Sequence, residues 1–150
     1  MSVRLVLALA GTAIGLYFSR GILRFDPESY CHFADTRTIF GVPNFWNVVT
    51  NLGFVCVGAL GLRRSSRYPT ELRLLTRLFS GALIATGLGS AYFHWETTPP
   101  RLFWDQLPMS VGFGSFIGVV VADRLRASLG RWIGIVLSLL GPIPVWNIYY

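Results

Sequence analysis

Five apolar runs of near-membrane length, separated by short arginine-bearing loops, constrain this chain more than any other feature. They lie at about Val3–Phe18, Val42–Leu62, Leu72–Phe93, Leu102–Ala122 and Trp132–Tyr150. Crossing the hydrocarbon core takes roughly 20 apolar residues in an α-helix, and backbone polar groups in lipid must be satisfied within the segment. The runs therefore predict an all-α polytopic transmembrane helix bundle of about five helices. Composition agrees, since 53% of the 150 residues are hydrophobic and 13% are charged. That charged share is about half of what a soluble domain carries.

The first run is the shortest and is flanked by Arg4 and Arg20. Its one small-residue cleavage pattern, Ala8-Leu9-Ala10, falls inside the apolar stretch rather than after it. An uncleaved signal anchor over residues 1–24 is expected instead of a signal peptide, leaving residues 25–150 as the transmembrane domain. Abundant glycine in the middle runs, such as Gly81, Gly87 and Gly89 in the third, predicts closely packed helices.

The formal net charge is +6, and all thirteen basic residues are arginine, concentrated between the runs. That placement fits topology signals and lipid headgroup contact, and it speaks against a nucleic-acid surface. The loop after the second run holds Arg63, Arg64, Arg67, Arg73 and Arg77 against Glu71, and the loop before the fifth holds Arg124, Arg126 and Arg131 against Asp123. The intervening loop, with Glu96, Arg101 and Asp105, is net negative. The bias predicts a multi-pass protein with a cytoplasmic N-terminus and both basic loops cytoplasmic. The two cysteines, Cys31 and Cys56, form neither a disulfide framework nor a zinc spacing.

Against this background the stretch SAYFHWETTPPRLFWDQLPM, residues 90–109, stands out. Ser90 and His94 are four residues apart, so a helix stacks them on one face. Asp105 lies beyond a Pro-Pro turn, from which a following helix can return it toward them. Ionisable groups in a bilayer are costly and are candidates for function. The predicted topology puts all three residues at the outer, periplasmic or luminal, end of their helices. Two chemistries suit them. One is a catalytic zinc held partly by His94, with a carboxylate beside the zinc-bound water and a hydroxyl supporting the ligand shell. The other is a Ser-His-Asp triad, which one-turn spacing on a single helix orients poorly.

Two further segments accompany the set. Asn47 and Asn51 share a helix face entering the second run, where amides serve as interhelical hydrogen-bond glue or support a polar pocket. The loop Tyr30–Arg37 places His32, Asp35 and Arg37 on the same side as His94, as solvated loop chemistry or as a lid or second-metal segment.

Taken together, SAYFH, then WDQLPM, preceded by FADTR and VPNFWNVVTN, resemble the alkaline ceramidase family, part of a superfamily of seven-helix membrane hydrolases and adiponectin-receptor-like proteins. The resemblance covers roughly residues 30–115. It implies a zinc-dependent amidase acting on ceramide-like lipids. Ser90 and Asp105 would be catalytic helpers, His94 the first zinc ligand, and Trp46, Asn47 and Asn51 pocket support. The family's later His-x3-His ligand pair has no counterpart here, since His32 is the sole other histidine. The resemblance thus implies an incomplete seven-helix core plus one extra N-terminal helix, with about three helices expected beyond this chain. Asn44 stands where an acidic calcium ligand is expected, which argues against calcium. Membrane lipids are the expected partners, and a non-catalytic lipid-binding or receptor-like relative is the alternative.

Overall fold

The computed structural model describes Gly11 and residues 26–33 and 35–150; apart from Gly11, the expected signal anchor lies outside the described residues. The expected all-α bundle is what forms. In chain order the helices are α1 (Phe45–Val49), α2 (Leu52–Arg64), α3 (Thr70–Trp95), α4 (Pro99–Arg124), α5 (Ala127–Leu140) and α6 (Pro142–Tyr149). Pairs α1–α2 and α5–α6 run on as single spans, Phe45–Arg67 and Ala127–Tyr149, each of 23 residues, beside α3 and α4 of 26 residues each. At 1.5 Å per residue these measure about 35 to 39 Å, against a hydrocarbon core of about 30 Å. All four are long and apolar enough to cross a membrane, the architecture of an integral multi-pass protein.

The burial pattern fits a lipid solvent. The buried hydrophobic residues among those described are Leu75, Ala82, Phe93, Leu102 and Phe103, whereas Ser80, Thr86, Ser90, Ser115 and Ser138 are buried polar groups. Large side chains such as Phe54, Phe113, Trp132 and Leu139 face outward. A soluble fold exposing so much contiguous apolar surface would aggregate.

Small residues set the packing. Gly114, Gly118 and Ala122 on α4 meet Ser138, Gly134 and Gly130 on the antiparallel α5, each stripe at a spacing of four. A Cβ on Gly118 would come within 2.5 Å of the Gly134 Cα, so the two backbones touch. The Ser138 hydroxyl donates across the seam to the Val111 carbonyl at 3.2 Å. Stripes of this kind let membrane helices gain dispersion contacts where no hydrophobic effect drives association.

Two helix breaks have side-chain causes. Between α1 and α2, the Thr50 hydroxyl donates to the Trp46 carbonyl at 2.6 Å and the Asn51 amide to the Asn47 carbonyl at 2.7 Å. These bonds compete with the backbone ladder, and the next amides shift to three-residue spacing, as in Gly53 N–H to Thr50 O at 3.1 Å. Between α5 and α6, Pro142 removes a backbone donor. The fifth run is accordingly two helices rather than the one expected.

Before α1 the chain makes a tight turn, with Ile39 and Val42 bridged by paired backbone bonds of 3.1 and 3.0 Å. Its central residues Phe40 and Gly41 both have positive φ, 53° and 79°. Asn44, at φ 45°, then redirects the chain into α1, so the second span begins at Phe45 rather than Val42.

Candidate functional site

Local sequence explains how Ser90 and Asp105 meet. Ser90 lies in the last part of α3 and Asp105 in the second turn of α4. Pro99 and Pro100 are the first residues of α4 rather than a separate turn, a position where a missing N–H costs nothing. Further along, Pro108 cannot donate to the Trp104 carbonyl one turn earlier. That carbonyl faces Gly89, where the absence of a side chain lets the α3 and α4 backbones come into contact. Ser90 and Asp105 directly follow the two contacting residues, and both side chains line one cavity.

The pair sits at the polar end of a cavity of about 440 Å³ between α2, α3 and α4. Thr86, Phe79, Leu83, Phe54, Met109 and Phe113 form most of the remaining lining. Phe54 and Phe113 are 47% and 63% exposed, so the cavity opens sideways on the outer surface of the bundle. From Ser90 down to Phe79 the groove runs eleven residues of α3, about 16 Å. Its volume is within the range of small-molecule sites, roughly 300–1,000 Å³.

His94 is one turn beyond Ser90, about 6 Å further along the helix axis, and does not line the groove. It is half-buried, with Phe33 edge-on at 4.6 Å and Phe93 at 5.1 Å. Asn44 donates to the His94 carbonyl at 2.8 Å, satisfying an acceptor that the end of α3 leaves open. The His94 Nδ1 atom is buried with no hydrogen-bond partner among the described residues.

The other residues singled out in the sequence have definite places. Asn47 donates to the Asp35 carbonyl at 3.2 Å and so holds the preceding loop, while Asn51, between α1 and α2, donates back to the Asn47 carbonyl of the same span. Trp46 is half-exposed and packs edge-on against Phe45 at 5.1 Å. His32 is exposed, and Asp35 pairs with Arg37 at 2.5 Å. The loop's contribution at His94 comes from Phe33 and Asn44, which sequence reasoning had not weighted for that role.

Sequence reading also missed the contacts between α4 and α6. Tyr149 of α6 donates to Gln106 Oε1 at 3.2 Å and lies within electrostatic range of Asp105. Phe103 is enclosed by Trp146, Tyr149 and Tyr150, with ring centroids 5.3 to 6.0 Å away. Nothing in the local sequence pairs residue 106 with 149. Gly89 and Pro108 did carry a signal, since a glycine and a proline inside membrane helices mark close approach and an open carbonyl.

A catalytic zinc takes three protein ligands and one open position. His94 offers one nitrogen, and its unpartnered Nδ1 is chemically suited to a ligand. Among the described residues, however, no three His, Cys, Asp or Glu side chains gather closely enough to hold a metal ion. The described residues therefore do not make a complete zinc site. They make a hydroxyl–carboxyl pair facing an apolar groove, with an imidazole above it. Comparison with protein-family models, with curated proteins and with solved structures finds no match to this chain.

Proposed function

We propose that this chain carries the lipid-binding and proton-handling groups of a membrane-embedded amidase acting on ceramide-like lipid amides. One observation carries the reading: Ser90 and Asp105 form the polar end of an apolar groove that opens on the side of a helix bundle. A lipid entering laterally lays a tail along Leu83, Phe79 and Phe113 and brings its polar linkage to the Ser90–Asp105 level. Asp105 accepts the proton of the attacking water and returns it to the leaving amine. Ser90, at the same level of the groove, donates its hydroxyl proton to the oxygen on which charge develops. His94, clamped by Asn44 and Phe33, would supply one of the three nitrogens of the zinc site that the ceramidase resemblance implies. The one other histidine of the sequence, His32, is exposed in the loop before α1. The arginine distribution supports a cytoplasmic N-terminus, with the site at the outer face.

The test uses the purified chain in lipid nanodiscs with a fluorescent ceramide, with and without stoichiometric zinc. Hydrolysis that Asp105→Asn reduces at least about 100-fold, the scale of general acid–base catalysis, while ceramide binding persists, is the expected result. The incomplete ligand set favours a second reading, a non-catalytic lipid-binding protein of the same architecture. Saturable ceramide binding without turnover would select that reading. Absence of both turnover and saturable binding would refute the site altogether.

A further inference from the structure

The end of the bundle opposite Ser90 and Asp105 carries the positive charge. The antiparallel helices bring the α2–α3 and α4–α5 turns together there: Tyr68 and Leu72 share a groove with Asp123 and Arg124, and Glu71 shares another with Ser128 and Arg131. The two turns hold Arg63, Arg64, Arg67, Arg73, Arg77, Arg124, Arg126 and Arg131 against Glu71 and Asp123, a net of +6. At the other end the described residues hold Arg37 and Arg101 against Asp26, Glu28, Asp35, Glu96 and Asp105, a net of −3. Among the described residues the basic end has one ion pair, Arg124 with Asp123 at 3.2 Å, well exposed on both sides. Arg126 and Arg131 make none.

These two arginines flank a surface of mixed chemistry at the start of α5. A groove of about 670 Å³ is lined by Arg124, Arg126 and Ser128 together with Leu125, Leu129 and Trp132. Ser128 and Trp132 also line the adjoining groove that holds Arg131, so the two grooves share a wall. Leu125 and Trp132 are 69% and 68% exposed, and the membrane-spanning segment begins at Ala127. Guanidinium and hydroxyl groups thus stand beside exposed apolar side chains where a membrane-spanning segment begins. Arginine binds phosphate oxygens through paired donors, and tryptophan prefers the interface between headgroup and hydrocarbon. A net of +6 at this end favours a lipid of net negative charge over a zwitterionic one.

We infer that this surface binds one anionic phospholipid, its phosphate held by Arg126, Arg131 and the Ser128 hydroxyl, its acyl chain along Leu129 and Trp132. The site is remote from Ser90 and Asp105 and does not depend on their chemistry.

The experiment places the full chain in phosphatidylcholine nanodiscs containing a minor fraction of brominated phosphatidylglycerol or, in parallel, brominated phosphatidylcholine. Bromine quenches tryptophan on contact. The expected result is excess quenching by the anionic lipid, half-maximal at a lower mole fraction, with preference falling about fivefold for each arginine removed. R126Q/R131Q abolishes the excess, whereas R63Q/R64Q, at the same end but off the groove, retains it. Trp132→Phe, which keeps every charge, also removes the excess and carries the test should the double variant not fold. Equal quenching by the two lipids in the wild-type chain overturns the proposal. So does an excess that survives in Trp132→Phe, or one that R63Q/R64Q lowers as much as R126Q/R131Q, the signature of diffuse surface charge.

Discussion

Substituting alanine for Gly89 tests how the candidate site is assembled. An added Cβ would stand 2.8 Å from the Trp104 carbonyl carbon and 3.3 Å from the Asp105 nitrogen, and closer still to the Trp104 carbonyl oxygen. All three are backbone atoms, so no side-chain rotation relieves the clash and α3 must move away from α4. Overpacking of this kind costs about 1–3 kcal/mol. Alanine's better helix propensity offsets up to about 1 kcal/mol. Gly81, in the same helix, has nothing within 4 Å of its Cβ position and makes the control. There the same substitution is neutral or stabilising. The expected gap between the two variants is about 2 kcal/mol, close to a 30-fold difference in the folding equilibrium. Reversible unfolding in mixed micelles, followed by circular dichroism against denaturant, measures it. If Gly89→Ala is as stable as Gly81→Ala, the backbone contact is not what brings Ser90 to Asp105, and this account of the site fails.

Gly118→Ala is expected to cost about 1–3 kcal/mol in the same assay, because its Cβ meets the Gly134 Cα and the Gly130 carbonyl; an unchanged midpoint would show that the α4–α5 seam is looser than described. Phe40, at φ 53° and 94% exposed, pays for a left-handed backbone with almost no packing in return. Phe40→Asn should slow proteolytic cleavage of the turn, with a gain of about 1 kcal/mol, and faster cleavage would mean the ring is held by contacts that matter. Burial, reinforced by Glu28 and Asp26, raises the Cys31 thiol above its ordinary pKa. The folded state then prefers the protonated thiol, so this contribution to stability is present below the unfolded pKa and is lost as pH rises through the folded one. Alkylation of Cys31 by iodoacetamide should accordingly reach half-maximal rate at higher pH in the folded chain than in the denatured chain; the reverse order would refute the assignment.

The residue pattern around 90–105 was legible because membrane sequence leaves so few polar residues to account for. Spacing put Ser90 and His94 on one face, and the two prolines, expected as a turn before the helix carrying Asp105, are its first residues. What spacing could not supply was direction. Ser90 faces the groove with Asp105, while His94 packs between Phe33 and Phe93, because the loop before α1 folds over the end of α3 and Asn44 captures its carbonyl. The amides of Asn47 and Asn51, for which interhelical glue was one expectation, bond instead to the loop and within their own span.

The sequence by itself determined that the chain folds into apolar helices of membrane length, where the turns between them fall, and which end is basic. These properties depend on hydrophobicity and charge, which are additive along the chain. Only the tertiary structure decided that the second and fifth runs are each broken, that Gln106 meets Tyr149, and that Ser90 and Asp105 close one end of a sideways-opening groove. Those outcomes depend on backbone contacts at single glycines and on carbonyls left open by single prolines, which residue patterns mark as possible without saying which neighbour will fill them.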